Sequence, residues 1–148
     1  MMNVKQFSTD ELSYKVIGIC MDVHRELGPG FPDEYYQHAL EYEFTQQQLS
    51  CQPQAPVPML YKDVQVGMNY LDFDIGDTLI LEIKSVNQLT KTHLFQVLKY
   101  LSVAKRSVAL LVNFGNLSLE YKRILPTKKI KDFWQAQQSK SRQNLKSV

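Results

Sequence analysis

The chain has 148 residues, 44% of them hydrophobic and 22% charged, the make-up of one globular domain large enough to bury a core. No run reaches the ~18 apolar residues that span a bilayer, and the amino terminus has no apolar signal core, so a membrane protein is excluded and a cytoplasmic one expected. The net charge of +2 excludes a strongly basic or acidic chain, but it is unevenly spread: Tyr121 to Val148 holds eight bases and one acid, +7, leaving −5 on the rest. Such an end is either an electrostatic handle for nucleic acid or a solubilising tail. Cys20 and Cys51 form no C-x-x-C pair and are expected as reduced thiols.

Leu12, Val16, Ile19, Cys20, Val23 and Leu27 recur at helical spacing, with Ser8 and Glu11 as a capping box and Gly28 as a stop. Gly28-Pro29-Gly30 turns the chain into a second helix, with Pro32 in its first turn and Tyr36, Ala39, Leu40 and Phe44 on one face, running to about Leu49. Prolines at 53, 56 and 58 then exclude a helix and demote the start of the next segment to an extended edge, with a strand from about Val57 to Tyr61. Val64 to Ile75 and Thr78 to Ser85 alternate as strands around a turn at Gly76-Asp77. Thr90 to Lys105 returns to helical spacing through Leu94, Val97, Leu98 and Leu101. Ser107 to Phe114 reads as a buried strand, Gly115-Asn116 as a turn, and Leu117 to Ile124 as the last strand. The order α-α-β-β-β-α-β-β predicts an α/β fold with a mixed central sheet flanked by helices. One domain is expected over 1–125, followed by a basic tail over 126–148.

The hairpin YLDFDIGDTLILEIKS, Tyr70 to Ser85, carries charge where burial is expected. A turn centred near Asp77 places Asp72 opposite Glu82. Alternation puts Lys84 on the face of Glu82, and Leu71, Phe73, Ile75, Leu79, Leu81 and Ile83 on the opposite, buried face. Asp74 is in phase with Asp72. Two neighbouring carboxylates repel, and a hard divalent cation, Mg²⁺ or Mn²⁺, relieves that by taking both as ligands with a backbone carbonyl near Ile83 as a third. Lys84 then stands where it stabilises negative charge on a phosphate under attack. Spacing alone also allows a second reading, a solvated strand face with Lys84 paired to Glu82.

These residues sit within four segments: VHRELGPGFPDEYYQHALEYEF, LDFDIGDTLILEIKSV, HLFQVLKYL and ALLVNFG. In that order they resemble the GxxExxY protein family, a branch of the PD-(D/E)xK nuclease superfamily, over roughly Leu12 to Ile124. The resemblance implies a restriction-endonuclease-like core of helix, three-stranded meander, helix and strand. It implies Asp72 and Glu82 as metal ligands and Lys84 as the catalytic lysine. Gln96 and Tyr100, four apart on one helical face, match the Q-x-x-x-Y element that lies beside the active centre in related nucleases. The eponymous pattern runs from Gly30 to Tyr36 but has Asp33 where the family has Glu, followed by Glu34. An acid on the first core helix often joins the metal in this superfamily; Asp33 reaches it through a water or Glu34 substitutes, and acids there also suit the helix dipole.

Other constellations are weaker. Cys20 and His24 lie four apart on helix one, but no second pair at metal spacing accompanies them, and no orienting group marks a nucleophile. His93 near the start of helix three reads as structural. The function expected is Mg²⁺-dependent hydrolysis of nucleic-acid phosphodiester bonds, DNA in the first place; the alternative is a non-catalytic nucleic-acid-binding or protein-interaction module on the same fold. Many enzymes of the superfamily dimerise to cut two strands, so a homo-oligomer is compatible with the resemblance.

Overall fold

The computed structural model describes residues 7–132 together with 135, 136 and 139. The first helix, α1 (Thr9–Leu27), starts on the expected capping box: Glu11 N donates to Ser8 Oγ and Ser8 N donates to Glu11 Oε2, each at 3.1 Å. It stops at Gly28, whose φ of +80° an L side chain rarely adopts. The second helix, α2 (Asp33–Gln46), is capped by Pro32 and ends short of Leu49, because Gln48 turns to φ +56°.

Five strands follow: β1 (Cys51–Tyr61), β2 (Val64–Ile75), β3 (Leu79–Lys84), then, after helix α3 (Lys91–Ala104), β4 (Val108–Asn113) and β5 (Glu120–Ile124). They form one sheet in sequence order. All neighbours are antiparallel except β3 and β4, which α3 links as a parallel pair. The element order and mixed sheet are those predicted. The first strand starts six residues earlier than expected, at Cys51. It can keep Pro53, Pro56 and Pro58 because it is an edge strand, where a missing N–H deprives no inner ladder.

The sheet separates two cores. On one face, Leu12, Val16, Ile19 and Val23 of α1 and Tyr36, Leu40 and Phe44 of α2 pack on Phe73, Ile75, Leu81, Ile83 and Val112. On the other, Val97, Tyr100 and Leu101 of α3 pack on Ala55, Val57, Leu71, Ile80 and Leu111. Each large side chain fully buried this way contributes about 1.5–3 kcal/mol.

Leu71 corrects the expected alternation: it belongs to the α3 face with Ile80, opposite Phe73. The cause is a break in the ladder at Asp72. Pro53 pairs with Phe73 and Ala55 with Leu71, but Gln54 between them sits at φ +49°, and β3 pairs with β2 only over Phe73–Ile75. Beyond that point β1 and β2 continue together as a two-stranded ribbon that leaves β3 behind. No helix among the described residues is long and apolar enough to cross a membrane. Most of the expected basic tail, including Lys140, Arg142 and Lys146, lies outside the described residues.

Candidate active site

The place where β2 parts from β3 is where the charged residues of the hairpin meet. The register pairs Phe73 with Leu81, so the next step brings Asp72 to Glu82, as predicted from a turn centred near Asp77. Two side-chain bonds stand there in place of the ladder. Asp72 N donates to Glu82 Oε1 at 3.1 Å, and Ile83 N donates to Asp72 Oδ2 at 2.8 Å. Each carboxylate is thus held by the backbone of the opposite strand, which fixes both at one spot with little freedom to move apart.

Glu82 is only 4% exposed. Burial first, and the Asp72 charge second, push its carboxyl up to about 8, against the pull of the Asp72 amide and Lys84. Burial raises Asp72 as well, opposed by the Ile83 amide, then by Lys84 and by its hydrogen bond with Glu82. Lys84 therefore acts on both carboxyls rather than on Glu82 alone. Lys84 O accepts from Phe114 N on the β4 side at 2.8 Å. Since successive residues of a strand turn their peptide groups to opposite edges, Ile83 turns its carbonyl, like its N–H, toward Asp72.

This donor set, two carboxylates and a carbonyl, fits a hard divalent cation that completes its shell with water. No group of three or more His, Cys, Asp or Glu is gathered for a metal among the described residues, so no third side chain joins the two acids at close range. Asp33, exposed in the first turn of α2, is near enough for its charge to raise Asp72, though it is the weakest influence on that group. Glu34 lies exposed one residue on, turned about 100° around the helix.

From α3, Gln96 Nε2 donates to Tyr100 Oη at 3.1 Å. Burial raises the Tyr100 phenol, and the Glu82 and Asp72 charges raise it further, so Tyr100 is near enough to feel both carboxyls. The start of α3 is set by Thr90 and His93 in a capping box, which gives His93 a structural role.

Two side chains, Gln37 and Asn113, and the partner of Asp74 escaped the sequence reading. Gln37, one helical turn after Asp33, is buried and donates from Nε2 to the Asp72 carbonyl at 3.2 Å, tying α2 to the strand at its break. The i, i+4 spacing from Asp33 was the available signal. Asn113, fully buried, accepts from Val86 N and Gly115 N and donates to Val86 O, each at 3.0 Å. It anchors the segment after Lys84, and Gly115 is required beside it, because a Cβ there would stand 2.1 Å from the Val86 carbonyl oxygen. Asp74 is held by Arg106 through two bonds of 3.1 and 2.6 Å, a pairing across 32 residues that no periodicity announces.

The remaining candidates separate. Tyr36 at the end of the G-x-x-x-x-x-Y stretch stacks on Phe114 at 4.4 Å, donates to Gly28 O at 2.6 Å and accepts from Phe31 N at 3.1 Å, so it locks the turn that starts α2. Cys20 is fully buried with its thiol pushed up by burial, and His24 Nε2 lies 2.9 Å from the Asn116 carbonyl, which leaves no Cys/His site. Arg123 of the basic segment is tied to α1 through Asp10 and the Ser13 hydroxyl.

A family-level comparison matches residues 10–124 to the PD-(D/E)XK nuclease superfamily. Among solved structures, the chain is similar to the crystal structure of an alkaline exonuclease (LHK-Exo) from Laribacter hongkongensis, with 15% identity and a TM-score of 0.44 over 95% of this chain and 88% of that one. No curated protein matches it.

Proposed function

The chain belongs to the PD-(D/E)XK nuclease superfamily, and from that membership we propose that it hydrolyses phosphodiester bonds of nucleic acid, DNA first, in a divalent-metal-dependent reaction at Asp72, Glu82 and Lys84. The observation that carries the proposal is the reciprocal holding of Asp72 and Glu82 at the strand break, with Lys84 on the same strand and acting on both. A structural role gives no reason to set a half-buried acid against a buried one beside one lysine.

In this reading Asp72, Glu82 and the Ile83 carbonyl hold the cation, Mg²⁺ or Mn²⁺, with Asp33 acting from a distance. The cation, when bound, supplies charge neutralisation and Lewis-acid activation for attack on phosphorus. Lys84 stabilises the negative charge that grows on the phosphate oxygens as water attacks and the bond to the leaving oxygen breaks. Tyr100, oriented by Gln96, hydrogen-bonds a phosphate oxygen or the attacking water. Gln37 keeps Asp72 aimed by holding its carbonyl. The narrower placement in the GxxExxY branch belongs to the same proposal. It is supported by Gly30 at φ +86° and by the Tyr36 lock, which give the first and last positions of that pattern a structural purpose.

The test is calorimetric titration of Mn²⁺ into the wild type and Asp72→Asn, followed by a nicking assay on the same samples. Metal binding lost in Asp72→Asn, with nicking by the wild type alone, is the expected result; no binding in either protein overturns the proposal. A non-catalytic nucleic-acid-binding module is favoured by one observation, the shorter Asp33 where the family has Glu. It predicts nucleic-acid binding that falls with salt and is indifferent to Mn²⁺.

A further inference from the structure

Beyond Asp72 the ribbon of β1 and β2 leaves the sheet, since β3 pairs with β2 only over Phe73–Ile75. The two strands run on together to a turn at Lys62 and Asp63, whose φ values of +46° and +66° suit a tight hairpin. The pairs Ala55–Leu71 and Val57–Asn69 share one face of this ribbon, the face that α3 covers through Ala55, Val57 and Leu71. Alternation turns Pro56, Pro58 and Leu60 of β1 and Val66, Met68 and Tyr70 of β2 to the other face, with Pro56 paired to Tyr70 and Pro58 to Met68. All six are exposed, Leu60, Val66, Met68 and Tyr70 by 61%, 66%, 41% and 55%. A two-stranded ribbon is marginally stable by itself, and this one has an apolar face that no element among the described residues covers.

Charge constrains what can cover it. From Cys51 to Leu71 the charged residues are Lys62 and Asp63, neighbours at the tip that cancel. With no cation along the face, a phosphodiester backbone or an acidic surface finds no partner on it, and with no anion neither does a basic one. A two-fold contact sets a patch against itself, which a charged patch resists and a neutral apolar one favours. The area agrees: six side chains at these exposures offer on the order of 500 Å² per copy, so two copies bury about 1,000 Å², the least that a specific interface needs. Along β1, Pro56 and Pro58 have no N–H to offer a further strand, so the contact there is between side chains, face to face, rather than a continued sheet.

We propose that this ribbon face is a self-association surface, which packs on the same face of a second copy across a two-fold axis. The pairing does not depend on the chemistry at Asp72. It bears on that chemistry, because Tyr70 lies two residues from Asp72 and the contact holds the strand breaks of the two copies at a fixed separation. Apolar burial rather than ion pairing drives the contact, so added salt should leave it intact.

The test is sedimentation velocity on the full chain over about 1 to 100 μM, comparing the wild type with Met68→Glu/Tyr70→Glu, Met68→Lys/Tyr70→Lys and Leu117→Glu. Met68 and Tyr70 are exposed, so the double variants should keep the fold, which circular dichroism checks. Leu117, 91% exposed and outside the ribbon, controls for the loss of any surface apolar group. Expected is a wild-type dimer with a micromolar or tighter Kd, unchanged in Leu117→Glu and weakened about a hundredfold in either double variant alone, where like charges meet across the axis. Mixing the two double variants should restore it, because Glu then meets Lys. A wild type that stays monomeric at the highest concentration overturns the inference: if that monomer floats with phosphatidylglycerol vesicles the face belongs to a lipid surface, and if it does not, to a different protein. A dimer that neither double variant weakens also overturns it and places the contact elsewhere. Cleavage enters none of these readings, so failure here leaves the nuclease proposal standing.

Discussion

Asp72 and Asp74 stand two residues apart on one strand and meet opposite fates. Asp74 is buried against Arg106, which gives its two oxygens a cation and two hydrogen bonds. Asp72 faces another carboxylate, and its nearest cation, Lys84, is shared between two acids. The first arrangement offsets the loss of hydration with a partner and stabilises the hairpin near its turn. The second makes ionising both acids at once unfavourable where the strands part, so that Glu82 holds its proton until a cation takes its place. The same residue type in the same hairpin is thus a fastening in one half and, in the proposed function, chemistry in the other.

The sharpest way to break this contrast is to remove Lys84. Lys84→Ala should lower divalent-dependent cleavage by about a thousandfold, equivalent to ~4 kcal/mol in the barrier, with thermal stability unchanged or slightly lowered. A nicking assay beside a melting curve checks both halves, and wild-type cleavage in this variant would remove the lysine from the mechanism.

Next comes pH. With its carboxyl at about 8 in the folded chain and an ordinary value of 4.5, Glu82 carries a proton when folded and none when unfolded between those limits. Folding takes up a proton there, so Glu82's contribution to the stability of the metal-free protein is fullest below pH 4.5 and falls as pH rises toward 8, by at most about 1.4 kcal/mol per pH unit. Denaturant melts at pH 5 and 8 should show this decline, Glu82→Gln should flatten it, and Mn²⁺ should restore stability at pH 8. A flat profile in the wild type would mean that Glu82 carries no strain.

Asp74→Asn is expected to cost about 2–3 kcal/mol, because it leaves the Arg106 guanidinium partly buried against a neutral partner. Glu82→Gln should do the reverse and stabilise the metal-free protein at pH 8. Equal effects from the two substitutions, measured by urea unfolding, would erase the distinction between the halves of the hairpin. The smallest effect belongs to Gln37→Leu, which removes one partly buried bond to the Asp72 carbonyl. It should cost about 1 kcal/mol of stability and weaken Mn²⁺ binding severalfold, whereas unchanged metal affinity would reduce Gln37 to packing.

The amino-acid sequence by itself determined the element order, the capping of α1, the turn at Asp77 and the meeting of Asp72 with Glu82. These depend on local rules: helical spacing, alternation along a strand, and the numbering symmetry of a hairpin about its turn. Lys84 followed from the same alternation, and Gln96 with Tyr100 from one helical turn. The tertiary structure alone decided what lies across the chain. Arg106 reaches Asp74 only because α3 brings the strand after it back beside β3, and Asn113 meets Val86 only because β4 pairs parallel to β3. Leu71 went to the face opposite the one predicted because Gln54 breaks the alternation from the neighbouring strand, a contact the sequence of β2 does not contain. Periodicity records what a residue does within its own element, while the partner of a buried charge is set by which elements the fold brings together.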